Sequence, residues 1–200
     1  MKYETALIAG IVASDGHLDK NFHIIRIITG SKSFLEFLEN LLKTITKEQI
    51  RVYVSKSGFG KTKYTVYLND KNLYKLLNEK FNVPKGKKSL AIKPPEKLDK
   101  EEEKAYIEGW LAGEGSISHD KNPQIALWSK SKEIIYWLRD KLKENNVNAQ
   151  IYYSEKKQQY LLMIRRKNDF QIFIENFHFV HPDKIVKLAS VLGRPRFRTS

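Results

Sequence analysis

The feature that most constrains this chain is that it says nearly the same thing twice. "IAGIVASDG" (Ile8–Gly16) and "IEGWLAGEG" (Ile107–Gly115) align at an offset of 99 residues. Gly10 falls on Gly109, Ala13 on Ala112, Asp15 on Glu114 and Gly16 on Gly115. The following segments keep step. A Ser-Lys-Ser precedes an amphipathic stretch in both "GSKSFLEFLENLL" and "WSKSKEIIYWLRDKL", and "VYVS" (Val52–Ser55) matches "IYYS" (Ile151–Ser154). Units this long are not solenoid repeats. They predict two similar half-domains in one chain.

Each half shows the same order of signals. A first helix ends at an acidic residue followed by a glycine, read as a glycine cap. A β-branched run follows, His23–Thr29 and Gln124–Trp128. Next comes a helix with apolar period near 3.6, through Phe34, Leu35, Leu38, Leu41 and Leu42, and through Ile134, Ile135, Leu138 and Leu142. Hairpins are expected at Arg51–Ser55 with Lys61–Asn69, and at Gln150–Ser154 with Gln159–Arg165. A helix closes each half, at Lys71–Leu77 and Asn168–Ile174, and a last one is expected at His181–Leu192, before a basic tail, "GRPRFRTS". The predicted order is α-β-α-β-β-α, with one strand split. The fold class is therefore α+β, with two pseudo-symmetric halves. Their bounds are 1–93 and 104–200, with 94–103 as linker and start of the second repeat helix. There Pro94 and Pro95 stop the chain, Asp99 can N-cap, and Glu101, Glu102 and Glu103 suit a positive first helical turn.

The first helix of each half is oddly small-faced. A helix-interior glycine costs about 1 kcal/mol relative to alanine, so Gly109 and Gly113 together cost roughly 2 kcal/mol. Ala9 and Ala13, Gly10 and Ser14, and Gly109 and Gly113 lie four apart on one face. With Ala112, they predict two helices packed backbone to backbone. Asp15 and Glu114 then meet, each at the negative end of a helix dipole. Such a pair repels unless a cation is present. Mg²⁺ is the natural one: hard, oxygen-binding, and content with one or two carboxylates plus water and phosphate.

The chain has 200 residues, no cysteine and a formal net charge of +13. Disulfides and thiolate zinc sites are thereby excluded. No apolar run reaches membrane-spanning length and no signal peptide is visible, so a cytoplasmic protein with no membrane partner is expected. Lysine and glutamate richness without cysteine suits a thermophile. The basic excess is spread: residues 1–100 hold 19 basic and 10 acidic residues, residues 101–200 hold 17 and 13. A folded basic surface of this kind points to nucleic acid.

The two segments resemble the paired motifs of LAGLIDADG homing endonucleases, in their single-chain, archaeal, intron-encoded form. The resemblance spans nearly the whole chain. It implies saddle-shaped antiparallel sheets facing a DNA major groove. It also implies metal-dependent phosphodiester hydrolysis that cuts both strands across the minor groove and leaves short 3′ overhangs. Asp15 and Glu114 would bind the metal, with the backbone of Gly16 and Gly115. Lys32 and Lys130, each inside a Ser-Lys-Ser, take the place of the family's catalytic lysines. Ser31 and Ser129 stand where the family often has glutamine. A monomer is expected, since one chain supplies both acids.

Strand alternation supports a one-sided sheet. The expected DNA-facing residues are Arg26, Arg51, Tyr53, Ser55, Lys61, Lys63, Thr65 and Tyr67, with Gln124, Trp128, Gln150, Tyr152 and Ser154 in the second half. "LLMIRR" has no clear alternation, so its outward residues stay open. "GFGKT" joins two strands and is read as a hairpin turn; His178 and His181 are read as helix-end residues; "KGKK" is read as loop charge. Two other functions suit the same fold: an intron-RNA maturase, and a DNA-binding regulator without catalysis.

Overall fold

In the computed structural model, residues 2–56, 58, 60–88, 90–118 and 123–192 are described. The basic tail lies outside them. The first half runs α1 (Lys2–Ser14), β1 (Gly16–Leu18), β2 (Ile24–Thr29), α2 (Lys32–Ile45), β3 (Ile50–Lys56), β4 (Thr62–Asn69) and α3 (Lys71–Glu79). The second runs α4 (Lys100–Gly113), β5 (Ser116–Ser118), β6 (Gln124–Ser129), α5 (Lys132–Glu144), β7 (Gln150–Ser154), β8 (Gln159–Ile164) and α6 (Lys167–Asn176). A final helix, α7 (Pro182–Leu192), follows. Each half forms a four-stranded antiparallel sheet, in the orders β1-β2-β4-β3 and β5-β6-β8-β7. No helix among the described residues is long and apolar enough to cross a membrane.

Helix starts follow local chemistry. Ser31, Asp70, Asp99 and Ser131 each accept a backbone N–H at an N-cap. Asp99 and Glu102 complete a reciprocal capping box, so the double proline is followed at once by a well-started helix.

The helix pair α1–α4 is the centre of the molecule, buried over most of its length. Gly10 and Gly109 face each other. A Cβ at Gly10 would sit 2.1 Å from the Tyr106 carbonyl oxygen, and one at Gly109 would sit 2.2 Å from that of Leu7. Both clashes are with backbone, so no rotamer change relieves them. Ala9, Ala13 and Ala112 are buried as well. Near the other end of the pair, the fully buried Glu108 accepts hydrogen bonds from the Tyr3 hydroxyl and from the His178 backbone N–H (2.8 Å).

Two expectations need correction. Gly16 and Gly115 are not left-handed caps; the positive-φ glycines among the described residues are Gly60 and Gly86. They are glycine because a Cβ would lie 2.6 Å from the Val12 Cα and 2.4 Å from the Leu111 carbonyl oxygen. The alternation that turns Arg51, Tyr53 and Ser55 outward puts Val54 on the covered face, yet it is 65% exposed. It keeps inward parity, but β3 is an edge strand and the helices of this half pack beneath β2 and β4. The three-residue strands β1 and β5 were too short to read from the sequence.

Candidate functional site

The site is built where α1 and α4 end. Neither helix carries a basic residue in its last turn, so any cation at their terminal carbonyls comes from elsewhere. Two lysines supply it. Lys88, from the segment after α3, donates from Nζ to the Val12 (2.8 Å) and Ser14 (2.6 Å) carbonyls. Lys184, from α7, donates to the Leu111 (2.9 Å), Ala112 (2.6 Å) and Gly113 (2.6 Å) carbonyls. Asp15 and Glu114 follow directly on these capped ends. The contact is close: a Cβ on Gly113 would meet Ser14 Oγ at 2.0 Å and Asp15 Cγ at 3.3 Å.

The electrostatics follow from burial and from these four charges. Desolvation pushes the Glu114 carboxyl up to about 7, with the Asp15 charge adding to the rise and Lys88 and Lys184 opposing it. Desolvation also raises Asp15, against the same two lysines. Burial brings Lys88 and Lys184 down to about 8, while both carboxylates hold them up. Lys88 and Lys184 thus supply part of the positive charge that two acidic helix ends call for, while burial and repulsion still outweigh them at Glu114. The cation argued for from the sequence is in part the protein's own.

Sequence reasoning missed both lysines. Lys88 sits in "KGKK", read as loop charge, and Lys184 lies 96 residues further on, out of step with the offset of 99. A missing last-turn cation does not single them out, because α3, α6 and α7 lack one too.

A cavity of about 170 Å³ opens beside Glu114 and Lys88, lined also by Ser14, Trp128, Ser129, Lys130 and Gln159. Lys130 therefore shares a space with an acid of the pair. Lys32 does not line it; its ammonium lies 4.0 Å from Glu36 on an exposed face of α2. Ser31, its neighbour, N-caps α2 and bonds Ser33, which in turn donates to Asp183 of α7 (2.7 Å). His181 stacks on Phe34 with ring centroids 4.2 Å apart, and burial lowers its pKa to about 4. So α7 spans the halves: it docks on α2 and delivers Lys184 to α4. The second half reciprocates through Ser131, which donates to the Ile92 carbonyl (2.7 Å) close to Lys88 in the chain.

The sheet registers define the outer faces. In the first sheet His17, Arg26, Tyr67 and Arg51 form one cross-strand row, Ile28, Thr65 and Tyr53 the next, and Lys63 and Ser55 a third. Lys61 is exposed just before β4. In the second sheet the rows are Ser116, Ala126, Met163 and Gln150; Trp128, Leu161 and Tyr152; and Gln159 with Ser154; Gln124 pairs with Ser118 beyond them. This resolves "LLMIRR": Leu161 and Met163 share the outer parity, and Leu162 and Ile164 the inner one. The sites connect to these faces, since Trp128 and Gln159 line the Glu114 cavity and His17 feels the charges of Arg26 and Lys88.

Two carboxylates beside helix-end carbonyls form an all-oxygen donor set, which fits a hard divalent cation that keeps water and phosphate as its other ligands. Among the described residues no group of three or more acidic, histidine or cysteine side chains forms a fuller metal cage.

Comparison with known proteins agrees with this architecture. The LAGLIDADG-like domain family matches residues 2–81 and again residues 101–178. No curated protein sequence matches the chain significantly. Among solved structures, the N-terminal LAGLIDADG domain of DUF199/WhiA superposes with a TM-score of 0.65 at 18% identity, covering 92% of this chain and 87% of that one. The homing endonuclease I-WcaI, bound to its DNA recognition sequence, gives 0.68 at 15% identity over 94% and 86%. A variant of I-DmoI in complex with its target DNA and manganese gives 0.66 at 16% identity over 88% and 93%. At these identities the likeness is one of fold. With two copies of the domain covering most of its length, the chain belongs to the LAGLIDADG-like domain family.

Proposed function

We propose that this chain is a site-specific DNA endonuclease of the homing type. It would cut both strands of a long double-stranded site by Mg²⁺-dependent hydrolysis, leaving short 3′ overhangs, and act as a monomer. The observation that carries the reading is the convergence of Asp15 and Glu114 at two capped helix ends, with outward-facing sheets on either side. The DNA-bound structures of I-WcaI and I-DmoI support it through their shared fold.

Asp15 and Glu114 would hold the cation, with the Gly16 and Gly115 backbones close by. When bound, a divalent metal activates water and stabilises the leaving oxygen. The chain's own residues do the rest. Lys88 and Lys184 fix the helix ends and set positive charge near the scissile phosphates, where negative charge builds up during hydrolysis. Lys130, which lines the cavity beside Glu114, would orient water or phosphate. The outer rows of the sheets hold the duplex in register.

One observation favours a second reading. Lys88 and Lys184 oppose the charge of the two acids and Glu114 holds its proton up to about 7, so the pair is tolerable without metal. A DNA-binding regulator or an intron-RNA maturase could therefore retain it. Incubating the protein with a randomised double-stranded DNA library, with Mg²⁺ or with EDTA, and sequencing the ends decides between them. Discrete Mg²⁺-dependent breaks with short 3′ overhangs are expected. Enriched binding without breaks would replace the endonuclease with the regulator or maturase.

A further inference from the structure

The two outer faces occupy equivalent rows with opposite chemistry. Where the first sheet places His17, Arg26, Tyr67 and Arg51, the second places Ser116, Ala126, Met163 and Gln150. Where the first has Lys63, the second has Gln159. Arg26, Arg51 and Lys63 form no salt bridge among the described residues, and Arg26 Nε is buried without a hydrogen-bond partner. The first face therefore offers unspent guanidinium and ammonium groups, suited to guanine N7/O6 and to phosphate.

On the second face the cations lie over aromatic rings: exposed Lys157 over Trp128 at 4.8 Å, and exposed Arg165 over Tyr152 at 5.0 Å. Arg165 also bonds the Met163 sulfur (3.2 Å). Ala126 and Met163 are buried, so the uncharged groups this face turns toward a ligand are Trp128, Leu161 and Tyr152 with the carboxamides of Gln124, Gln150 and Gln159. The Gln150 amide is held in orientation by the Tyr152 hydroxyl. In a major groove, a carboxamide pairs with adenine N6 and N7, and apolar side chains contact the thymine 5-methyl group.

We infer that the second sheet reads an A·T-rich half-site, through Gln124, Gln150 and Gln159 to adenine and through Leu161, Trp128 and Tyr152 to thymine methyl groups. The first sheet takes the half-site where guanine and phosphate contacts dominate. The target is thus two half-sites of unlike composition read by one pseudo-symmetric scaffold. This rests on the DNA reading proposed above.

The test is a binding selection from a randomised duplex library in EDTA, run on the full chain and on Gln159→Ala, Leu161→Ser and Arg51→Ala. One half-site is expected to be A·T-rich, and its preferences should relax in the Gln159 and Leu161 variants. The other half-site should relax in Arg51→Ala. Replacing thymine by uracil in the A·T-rich half should weaken binding roughly three- to tenfold, and about twofold or less in the other half. If the second-sheet variants relax a G·C-rich half, or uracil is neutral throughout, this inference fails and the DNA reading stands. If no duplex sequence is enriched, or single-stranded intron RNA binds more tightly, both fail.

Discussion

At the end of α1 a lysine from an irregular segment, Lys88, holds two carbonyls; at the end of α4 a lysine from a helix, Lys184, holds three. The two halves reach the same electrostatic solution with different parts. Beneath that likeness the halves diverge. Lys130 lines the cavity beside Glu114, while its counterpart Lys32 pairs with Glu36 in solvent. The first outer face has arginines where the second has a buried alanine and methionine and a glutamine. The lesson is where symmetry is demanded. Two close-packed helix ends must both be neutralised, whatever supplies the charge. The outer faces have no such common requirement, because a target sequence need not be symmetric.

The comparison can be broken most severely at the helix contact. Gly10→Leu and Gly109→Leu drive side chains into facing backbone. Overpacking of this kind costs about 1–3 kcal/mol or more, and here no side chain can move aside. Both variants should fail to fold or melt far below the wild type. A stable Gly109→Leu protein would show that the helices do not pack as described.

The lysines come next. Removing Lys184 or Lys88 strips hydrogen bonds from buried carbonyls and leaves the acids less compensated. Lys88→Met should cost about 2–4 kcal/mol, and Lys184→Met somewhat more because it loses three bonds instead of two. For a chain this size each kcal/mol lowers Tm by about 2–4 °C. Equal or negligible losses in thermal melts would contradict the capping role.

The pH dependence sharpens the same point. Glu114, at about 7 in the fold against an ordinary 4.5, keeps a proton that the unfolded chain has released. Against the rise that His181, at about 4 against 6.5, brings between those values, the Glu114 contribution to metal-free stability should therefore fall as pH rises from about 4.5 to 7. Lys88 and Lys184, at about 8 against 10.5, reverse the sign: the unfolded chain then holds more protons, and their contribution rises from about 8 to 10.5. The Glu114 part is read as the difference between wild type and Glu114→Gln in metal-free melts: the variant should gain Tm relative to wild type as pH rises from about 4.5 to 7. A difference that stays constant over that range would remove Glu114 as its cause.

The smallest effects separate Lys130 from Lys32. Lys130→Ala should lower the single-turnover cleavage rate with little change in DNA affinity. Lys32→Ala, on an exposed helix face, should leave the rate within about twofold. Equal losses would mean that Lys32 reaches the reacting phosphate in the complex.

Much of this was legible beforehand, for physical reasons. The small-residue face could be read because glycine in a helix is costly and so needs an explanation, and Gly10 against Gly109 supplies it. The amphipathic helices and the first-sheet alternation were equally visible. The site was only half legible. Asp15 and Glu114 lie within the repeated motif, but Lys88 and Lys184 act on it from far along the chain, where the repeat has lost step. The second outer face was hidden because Leu161, Met163, Leu162 and Ile164 are all apolar; only the register to Tyr152 and Gln150 sorts them. Gly16 and Gly115 look like helix caps in sequence, yet close approach to the preceding turn is what they serve.

The most direct test is to take the site recovered from the cleavage selection and compare wild type, Asp15→Asn and Glu114→Gln for cutting and for binding, in Mg²⁺ and in EDTA. The account predicts that each variant loses Mg²⁺-dependent double-strand cleavage while binding the site about as well as wild type. Undiminished cutting by either variant would contradict the assignment of that acid to the reaction.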